Sequence, residues 1–418
     1  MIRMRRAFLA GALLLAASAA SAAEPANKQT EQEAVYRWVN VTQTAAYAPR
    51  DGAGALVFQD KMWLLGGWNP PDREHFPLGC NNEVWISIDG ANWSLVKPNT
   101  FLDKSFDPTS DWEGRHTAGY VVYQDKMWIV GGDANQGHIH RDVWNSADGK
   151  TWNYVNKGQD VPWGPRVLHY TFVFQDKIWV LGGQTMPGFA EPRQEIFYRD
   201  AWTTTDGIDW QQVTPAEPYW SPRGMIGGSV VFNGRMWVLG GGTYDTPTTP
   251  TRNFYNDVWS SADGVHWKMH TAAAPWKPRQ YHDVAVFDGN MWVMEGYYDK
   301  AGGNMNDVWY SADGVDWKEV PDTPWRPRPC VQRVCLRRRP VDGCWQQHAA
   351  RCMEVGSGCR VTVHQISNRV VNRSADPQLS WRVLPSPAFM LLLLQHFHSF
   401  NDGRIMRQVI FCHRPSCK

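Results

Sequence analysis

The sequence predicts an all-β fold built from one repeated four-stranded unit, and three observations predict it. A strand pattern ending in a glycine stop recurs five times: FQDKMWLLGG to Gly67, YQDKMWIVGG to Gly132, FQDKIWVLGG to Gly183, FNGRMWVLGG to Gly241 and FDGNMWVMEG to Gly296. Each copy is followed by a second signature, EVWISIDGANW, DVWNSADGKTW, DAWTTTDGIDW, DVWSSADGVHW or DVWYSADGVDW, whose two tryptophans stand eight residues apart in all five. Successive first tryptophans, Trp85, Trp144, Trp202, Trp259 and Trp309, lie 59, 58, 57 and 50 residues apart. That period suits one four-stranded blade of a β-propeller rather than a helical repeat.

Each element of the unit has a local reason. Apolar β-formers such as Gly54 to Phe58 run into a tight turn, where Asn233-Gly234 and Asp288-Gly289 supply the positive φ that a two-residue hairpin needs. The second strand ends in Gly-Gly, where a side chain would obstruct the approach of neighbouring backbone. A variable loop follows, then a third strand with the first tryptophan. The chain turns back at Asp89-Gly90, Asp148-Gly149, Asp206-Gly207, Asp263-Gly264 or Asp313-Gly314 into a fourth strand with the second tryptophan. Across that hairpin the two indoles are expected on one face, burying apolar area between blades. An arginine opens every repeat, at Arg50, Arg115, Arg166, Arg223, Arg279 and Arg328, and its plain reading is an ion pair with the acid of the DVW strand.

From about Tyr36 to Arg328 these segments resemble kelch repeats, whose Gly-Gly and spaced aromatic residues mark one blade each. The resemblance implies a kelch-type propeller of six intended blades, five of them complete in the given frame. It does not fix a function, since kelch propellers include protein-binding modules, copper oxidases and sugar mutarotases. Before the first full repeat stands YRWVNVT, Tyr36 to Thr42, which reads as an N-terminal strand closing the last blade and removing the free edges.

The first 23 residues read as a secretory signal peptide, with Arg3, Arg5 and Arg6 before an apolar run too short to span a bilayer and a small-residue site at Ala20-Ser21-Ala22. The expected domains are therefore the signal at 1–23, the propeller at 24–328 and a tail at 329–418, and the expected location is periplasmic or secreted. The chain holds 42 basic and 41 acidic residues, but 13 basic against four acidic lie from Pro329 onward. The propeller body is thus acidic, which argues against nucleic acid as a partner. No membrane span is expected after signal removal.

Strands one to three of a sixth blade are expected after Arg328, yet PCVQRVCLRRRPVDGCWQQHAARCMEV has no repeat character. Codons can be chosen for those residues that, read from the second base of the Pro329 codon, give HASSVFVYDGALWMVAGNNMQRDVWKL, with individual residues dependent on that choice. Its first tryptophan falls 13 residues after Arg328, as Trp292 falls 13 after Arg279, and the tryptophan of its DVW arises from Met353 and Glu354 without any codon choice. A single inserted base near the Arg328 codon accounts for the tail, which is then expected to carry no function and to be disordered or poorly determined. Seven of the eight cysteines lie there, an odd number with no CxxC pair.

Binding residues of a propeller collect at the mouth of its central channel, on loops from several blades. The candidates after the repeat arginine are His116, His169, Tyr281 and His282, and those after Gly-Gly are Trp68 and Tyr297, among other loop residues including Arg193, Tyr244 and Arg252. Aromatic faces beside carboxylates and arginine suit a carbohydrate or a peptide. Glu295 replaces the first glycine of its Gly-Gly pair, and reads either as a general base with Arg193 or as the partner of an arginine. His138-Ile139-His140 with Asp133 and Asp142 is a weak chelating pattern, and Cys80 has no ligand set apparent around it, so neither metal nor cofactor is expected. The S-A-D-G-x-x-W turns resemble the sialidase Asp box but read more simply as hairpin turns. The expected function is an exported carbohydrate- or protein-binding module. The alternative is a periplasmic sugar mutarotase or epimerase resembling the sialic acid mutarotase.

Overall fold

The computed structural model describes residues 36–327, except 37, 70, 71, 73, 76–78, 134, 136 and 225–227, together with the backbone of 331–337, 349–356 and 362–367. Arg328 and the first 35 residues lie outside the described residues, as does the tail apart from those three strands.

Five four-stranded antiparallel sheets form five blades, each in the simple order first to fourth strand. Blade one is β1 (Gly54–Phe58), β2 (Lys61–Leu65), β3 (Val84–Ser87) and β4 (Ser94–Lys97). Blade two is β5 (Gly119–Tyr123), β6 (Lys126–Gly132), β7 (His140–Ser146) and β8 (Asn153–Tyr154), and blade three is β9 (Tyr170–Phe174), β10 (Lys177–Leu181), β11 (Ala201–Thr204) and β12 (Gln211–Val213). Blade four is β13 (Ser229–Phe232), β14 (Arg235–Thr243), β15 (Asn253–Ser261) and β16 (Trp267–Thr271). Blade five is β17 (Asp283–Phe287), β18 (Asn290–Met294), β21 (Val308–Ser311) and β22 (Lys318–Val320), with the small hairpin β19 (Tyr297–Tyr298) and β20 (Gly303–Asn304) in its loop. Apart from one 3-10 turn at Asp299–Ala301, the described residues contain no helix.

The turns follow the predicted chemistry, with one refinement. Phe232 pairs with Arg235 and Phe58 with Lys61, so the first turn has two residues, and both take positive φ (Asn233 and Gly234 at 46° and 66°, Gln59 and Asp60 at 50° and 55°). The Asp-Gly turn is longer. Ser87 Oγ accepts from Gly90 N–H at 2.8 Å, and Asp89 Oδ1 accepts from the N–H groups of Ala91 and Asn92 at 2.9 and 2.8 Å, an Asx turn that recurs in every blade. The longer turn changes the expected partner of the second tryptophan. Trp85 pairs in register with Leu95, not with Trp93.

The two indoles of a blade therefore do different work. The first donates to the acid two residues before it, as Trp144 Nε1 does to Asp142 at 2.7 Å. The second is buried against an aromatic residue three positions before the repeat arginine: Tyr47 on Trp93, Trp112 on Trp152, Trp163 on Trp210, Trp220 on Trp267 and Trp276 on Trp317, at ring centroid distances of 5.2, 5.5, 5.7, 6.0 and 5.8 Å. Each such pair is edge-on and buried, contributing on the order of 1 kcal/mol beyond its apolar burial.

The repeat arginines are ion-paired as expected. Arg50, Arg115, Arg166, Arg223 and Arg279 are buried and meet Glu83, Asp142, Asp200, Asp257 and Asp307 at 2.6, 2.5, 2.6, 2.5 and 2.7 Å. Each also donates to the carbonyl at the first position of the Gly-Gly pair. The glycines let the next blade in. The N–H groups of Gly67, Gly183 and Gly241 donate to the carbonyls of Arg115, Arg223 and Arg279, one blade on. A Cβ on Gly182 would stand 2.2 Å from the Arg223 oxygen.

First strands of successive blades, β1, β5, β9, β13 and β17, lie side by side around the axis. In the sixth position, beside both β17 and β1, stands β23 (Val331–Arg337), the first strand of a three-stranded sheet with β24 (Ala349–Gly356) and β25 (Thr362–Ser367). The N-terminal segment sits on blade five: Trp38 packs edge-on against Trp325 at 4.7 Å, and Tyr36 against Trp292 at 4.7 Å. Trp325 stands three residues before Arg328, so Trp38 takes the place that Trp317 takes against Trp276.

Candidate functional site

The antiparallel order puts the short turns at one end of every blade and the long loops at the other. At the loop end, the residue after the arginine pairs with the residue after Gly-Gly: Asp51 with Trp68, Val167 with Gln184, Gly224 with Gly242 and Gln280 with Tyr297. In blade two, Asp133 N–H donates to the His116 carbonyl at 3.0 Å. The repeat thus builds a frame of paired positions, on which side chains that differ from blade to blade form two constellations.

The first lies where the loop of blade one meets blade two. Trp68 bridges to Cys80, and its ring lies 6.2 Å from that of His116. Cys80 Sγ donates to Asp133 Oδ2 at 3.0 Å, and His116 Nδ1 lies 3.4 Å from the same oxygen. Burial opposes charge on Asp133, but His116, His140 and the Cys80 thiol together hold its carboxyl well below the usual range. Burial likewise opposes the His116 imidazolium, yet Asp133 raises its pKa. Beside this group, His138 Nε2 and His140 Nε2 lie 2.9 and 3.7 Å from Glu113 Oε2. His140 is pushed down to about 4 by burial and then by Arg115.

The second constellation belongs to the loops of blades four and five. The Arg252 guanidinium stands over the Tyr244 ring at 4.0 Å and the Tyr297 ring at 5.9 Å, and Arg252 Nε donates to Asp245 at 2.6 Å. Tyr281 meets Tyr244 edge-on at 6.5 Å, and Phe254 lies 6.1 Å from Tyr297 and 5.1 Å from Tyr298. A cleft lined by Met186, Phe189, Tyr244 and Asp245 adjoins this group.

Of the sequence-predicted residues, Trp68 and His116 thus fall in the first group, and Tyr281 and Tyr297 in the second. His169 and His282 are 5 % and 1 % exposed and lie between blades. His282 Nε2 lies 2.8 Å from the Leu239 carbonyl of blade four, and burial followed by the adjacent arginine pushes each histidine down to about 3. Glu295 is buried at the end of β18 with φ 57°, its N–H bonded to Asp307 and its carbonyl to Arg279. Arg193 is exposed and pairs with Glu191 on its own loop at 2.8 Å. The sequence reading missed the gathering of Cys80, His116 and Asp133. The only sequence signal for it is the repeat alignment that sets position 116 beside 133.

No protein-family model matches the chain. Over 223 residues, 51 % of this chain and 59 % of the relative, it is 25 % identical to N-(sulfonatooxy)prop-2-enimidothioate sulfolyase of Thlaspi arvense. Over 258 residues, 61 % of this chain and 25 % of the relative, it is 28 % identical to Leucine-zipper-like transcriptional regulator 1 homolog of Drosophila melanogaster. The match spans less than two thirds of either relative's length. Blades, repeat motifs and relatives together describe a β-propeller of kelch-like repeats.

Proposed function

We propose that this protein is an exported kelch-type propeller whose loop end binds a carbohydrate. The observation that carries this reading is the aromatic group around Arg252. Tyr244, Tyr281, Tyr297 and Phe254 offer ring faces, and Arg252 with Asp245 offers fixed donors and acceptors beside them, the mixture that sugar faces and hydroxyls require. A protein ligand uses the same chemistry over a larger area, and is the second occupant of this proposal. The mutarotase alternative needs an acid/base pair at the mouth, and Arg193 instead has its partner Glu191 on an exposed loop. The signal peptide at 1–23 and a periplasmic or secreted location belong to the same proposal, as does a single-base shift near Arg328 that hides the sixth blade.

The test is NMR with the purified chain against a panel of acidic and neutral sugars. Saturable broadening of one sugar's signals, abolished in Arg252→Ala, with no acceleration of anomer exchange over buffer, is the expected result. Accelerated exchange transfers the protein to the mutarotase reading. Absence of binding across the panel removes the carbohydrate and leaves the protein ligand.

A further inference from the structure

Cys80, His116 and Asp133 reach one point from three stretches of chain. Cys80 lies in the long loop of blade one, His116 follows the arginine of blade two, and Asp133 follows its Gly-Gly pair. The distances are 3.0 Å from Cys80 Sγ to Asp133 Oδ2, 3.4 Å from His116 Nδ1 to the same oxygen and 3.8 Å from Cys80 Sγ to His116 Nδ1. Cys80 and Asp133 have no exposed surface, and the His116 side chain is 14 % exposed.

Two chemistries use this trio of residue types, and the geometry separates them. A nucleophilic relay needs thiol and carboxylate on opposite ring nitrogens, so that one takes the thiol proton while the other orients the ring. Here the same nitrogen, Nδ1, faces both partners, and the thiol donates directly to the carboxylate. The three donor atoms form a triangle instead. Zinc bonds of about 2.3 Å to sulfur and about 2.0–2.1 Å to nitrogen and oxygen, at tetrahedral angles, separate such donors by about 3.3–3.6 Å. The three observed separations bracket that range.

We propose that Cys80, His116 and Asp133 form a site for one divalent transition ion of the zinc type at the junction of blades one and two. Thiolate, imidazole and carboxylate together suit zinc or cobalt rather than magnesium or calcium, whose ligands are oxygens. Three protein donors leave a fourth position for water or a ligand group. Binding replaces the thiol proton with the metal and releases it to solvent, along with any proton on His116 Nδ1, so uptake is proton-linked. This site stands apart from the aromatic group around Arg252 and does not rest on the carbohydrate reading.

The test is titration of the full chain with Co²⁺, following thiolate-to-cobalt charge-transfer absorption, with Zn²⁺ competition by calorimetry. One equivalent of Co²⁺ with a thiolate band, displaced by Zn²⁺, is expected. Cys80→Ser removes the band, and His116→Ala weakens Co²⁺ binding by about tenfold or more. Cys80→Ser changes one atom and is checked for an unchanged unfolding midpoint, so its result decides even where His116→Ala fails to fold. A band that survives Cys80→Ser assigns the thiolate to a cysteine of the tail and overturns the proposal. So does Co²⁺ binding without a thiolate band that disappears in His138→Ala, which places the ion on Glu113, His138 and His140, and so does the absence of binding.

Discussion

The joints within blades one to five and the seat of the sixth blade are built from the same parts, but only the joints contain all of them. Between blades four and five, Trp237 is covered by the turn at Gly314, where a Cβ would stand 2.4 Å from the indole, and Trp276 packs on Trp317. At the seat, Trp292 is covered by Tyr36 and Trp325 packs on Trp38. The N-terminal segment thus supplies two aromatic rings to this seat, but against expectation it forms no strand among the described residues. The β23 to β25 sheet beside it comes from residues whose sequence lacks the repeat, and under the proposed single-base shift those residues would carry a tryptophan and DVW at the repeat spacing. A repeat protein is stabilised through its neighbour interfaces, so one defective unit weakens two joints at once. Removing one base near the Arg328 codon is therefore expected to have the largest effect. Several large apolar side chains become buried at about 1.5–3 kcal/mol each, and unfolding free energy rises on the order of 5 kcal/mol or more. Urea unfolding of both chains, followed by tryptophan fluorescence, measures this. Equal midpoints would mean that the β23 to β25 sheet already serves as a blade, and the frameshift proposal would be dropped.

Breaking an intact joint gives the next effect. Arg223 is 1 % exposed, meets Asp257 through both terminal nitrogens at 2.5 and 2.9 Å, and stands 4.0 Å over the Tyr255 ring. Arg223→Met leaves the carboxylate with Trp259 Nε1 alone in a half-dry place, and costs about 3–5 kcal/mol. The double variant Arg223→Met/Asp257→Leu removes the stranded charge and recovers much of that loss in the same urea experiment. If it unfolds as readily as the single variant, the pair serves mainly through its bonds to the Gly-Gly backbone.

The histidines between blades make the joints sensitive to acid. His169 and His282 stay neutral in the folded protein down to about 3, against about 6.5 in an unfolded chain. Their contribution is complete above about pH 6.5 and is lost as pH falls below it, by ~1.4 kcal/mol per pH unit for each histidine. His140, with a folded value of about 4, adds to the loss. His116 acts in the opposite sense, because its raised pKa favours the fold below about 6.5 and that benefit fades as pH rises. Stability measured at pH 7, 6 and 5 therefore declines, and His282→Asn flattens the decline by one histidine's share. An unchanged slope would remove His282 as its source.

The scaffold was legible because it is repeated. Gly-Gly, the DVW acid, the arginine and the Asp-Gly turn each recur at matching spacing, and each has a single local cause. The aromatic series at Tyr47, Trp112, Trp163, Trp220, Trp276 and Trp325 was as visible, three residues before each arginine, and it corrects the pairing of the indoles across the hairpin. The loop end was legible only in outline. Tyr281 and Tyr297 were found by their positions after the arginine and after Gly-Gly, but Cys80 reaches Asp133 only because blade one folds against blade two, and no spacing along the chain encodes that contact. His169 and His282 show the opposite failure. They sit at positions that mark the mouth in sequence, yet their rings turn into the joints, because an inner strand has a face toward the neighbouring blade as well as toward the channel.

The smallest effect is expected where an arginine belongs to no repeat. Arg193 pairs with Glu191 two residues away, with both side chains more than 60 % exposed, and its other partner is the Pro187 carbonyl on the same loop. Water screens such a pair, and Arg193→Ala changes stability by less than about 0.5 kcal/mol. The contrast with Arg223 is one of burial, since both bind a carboxylate through short contacts. Under the binding proposal, Arg193→Ala also leaves sugar binding intact while Arg252→Ala abolishes it. Under the mutarotase reading Arg193 is half of the acid/base pair, and its loss abolishes anomer exchange while sparing the fold. NMR exchange spectroscopy on Arg193→Ala beside the parent chain therefore separates the two functions with a variant whose structure is not in question.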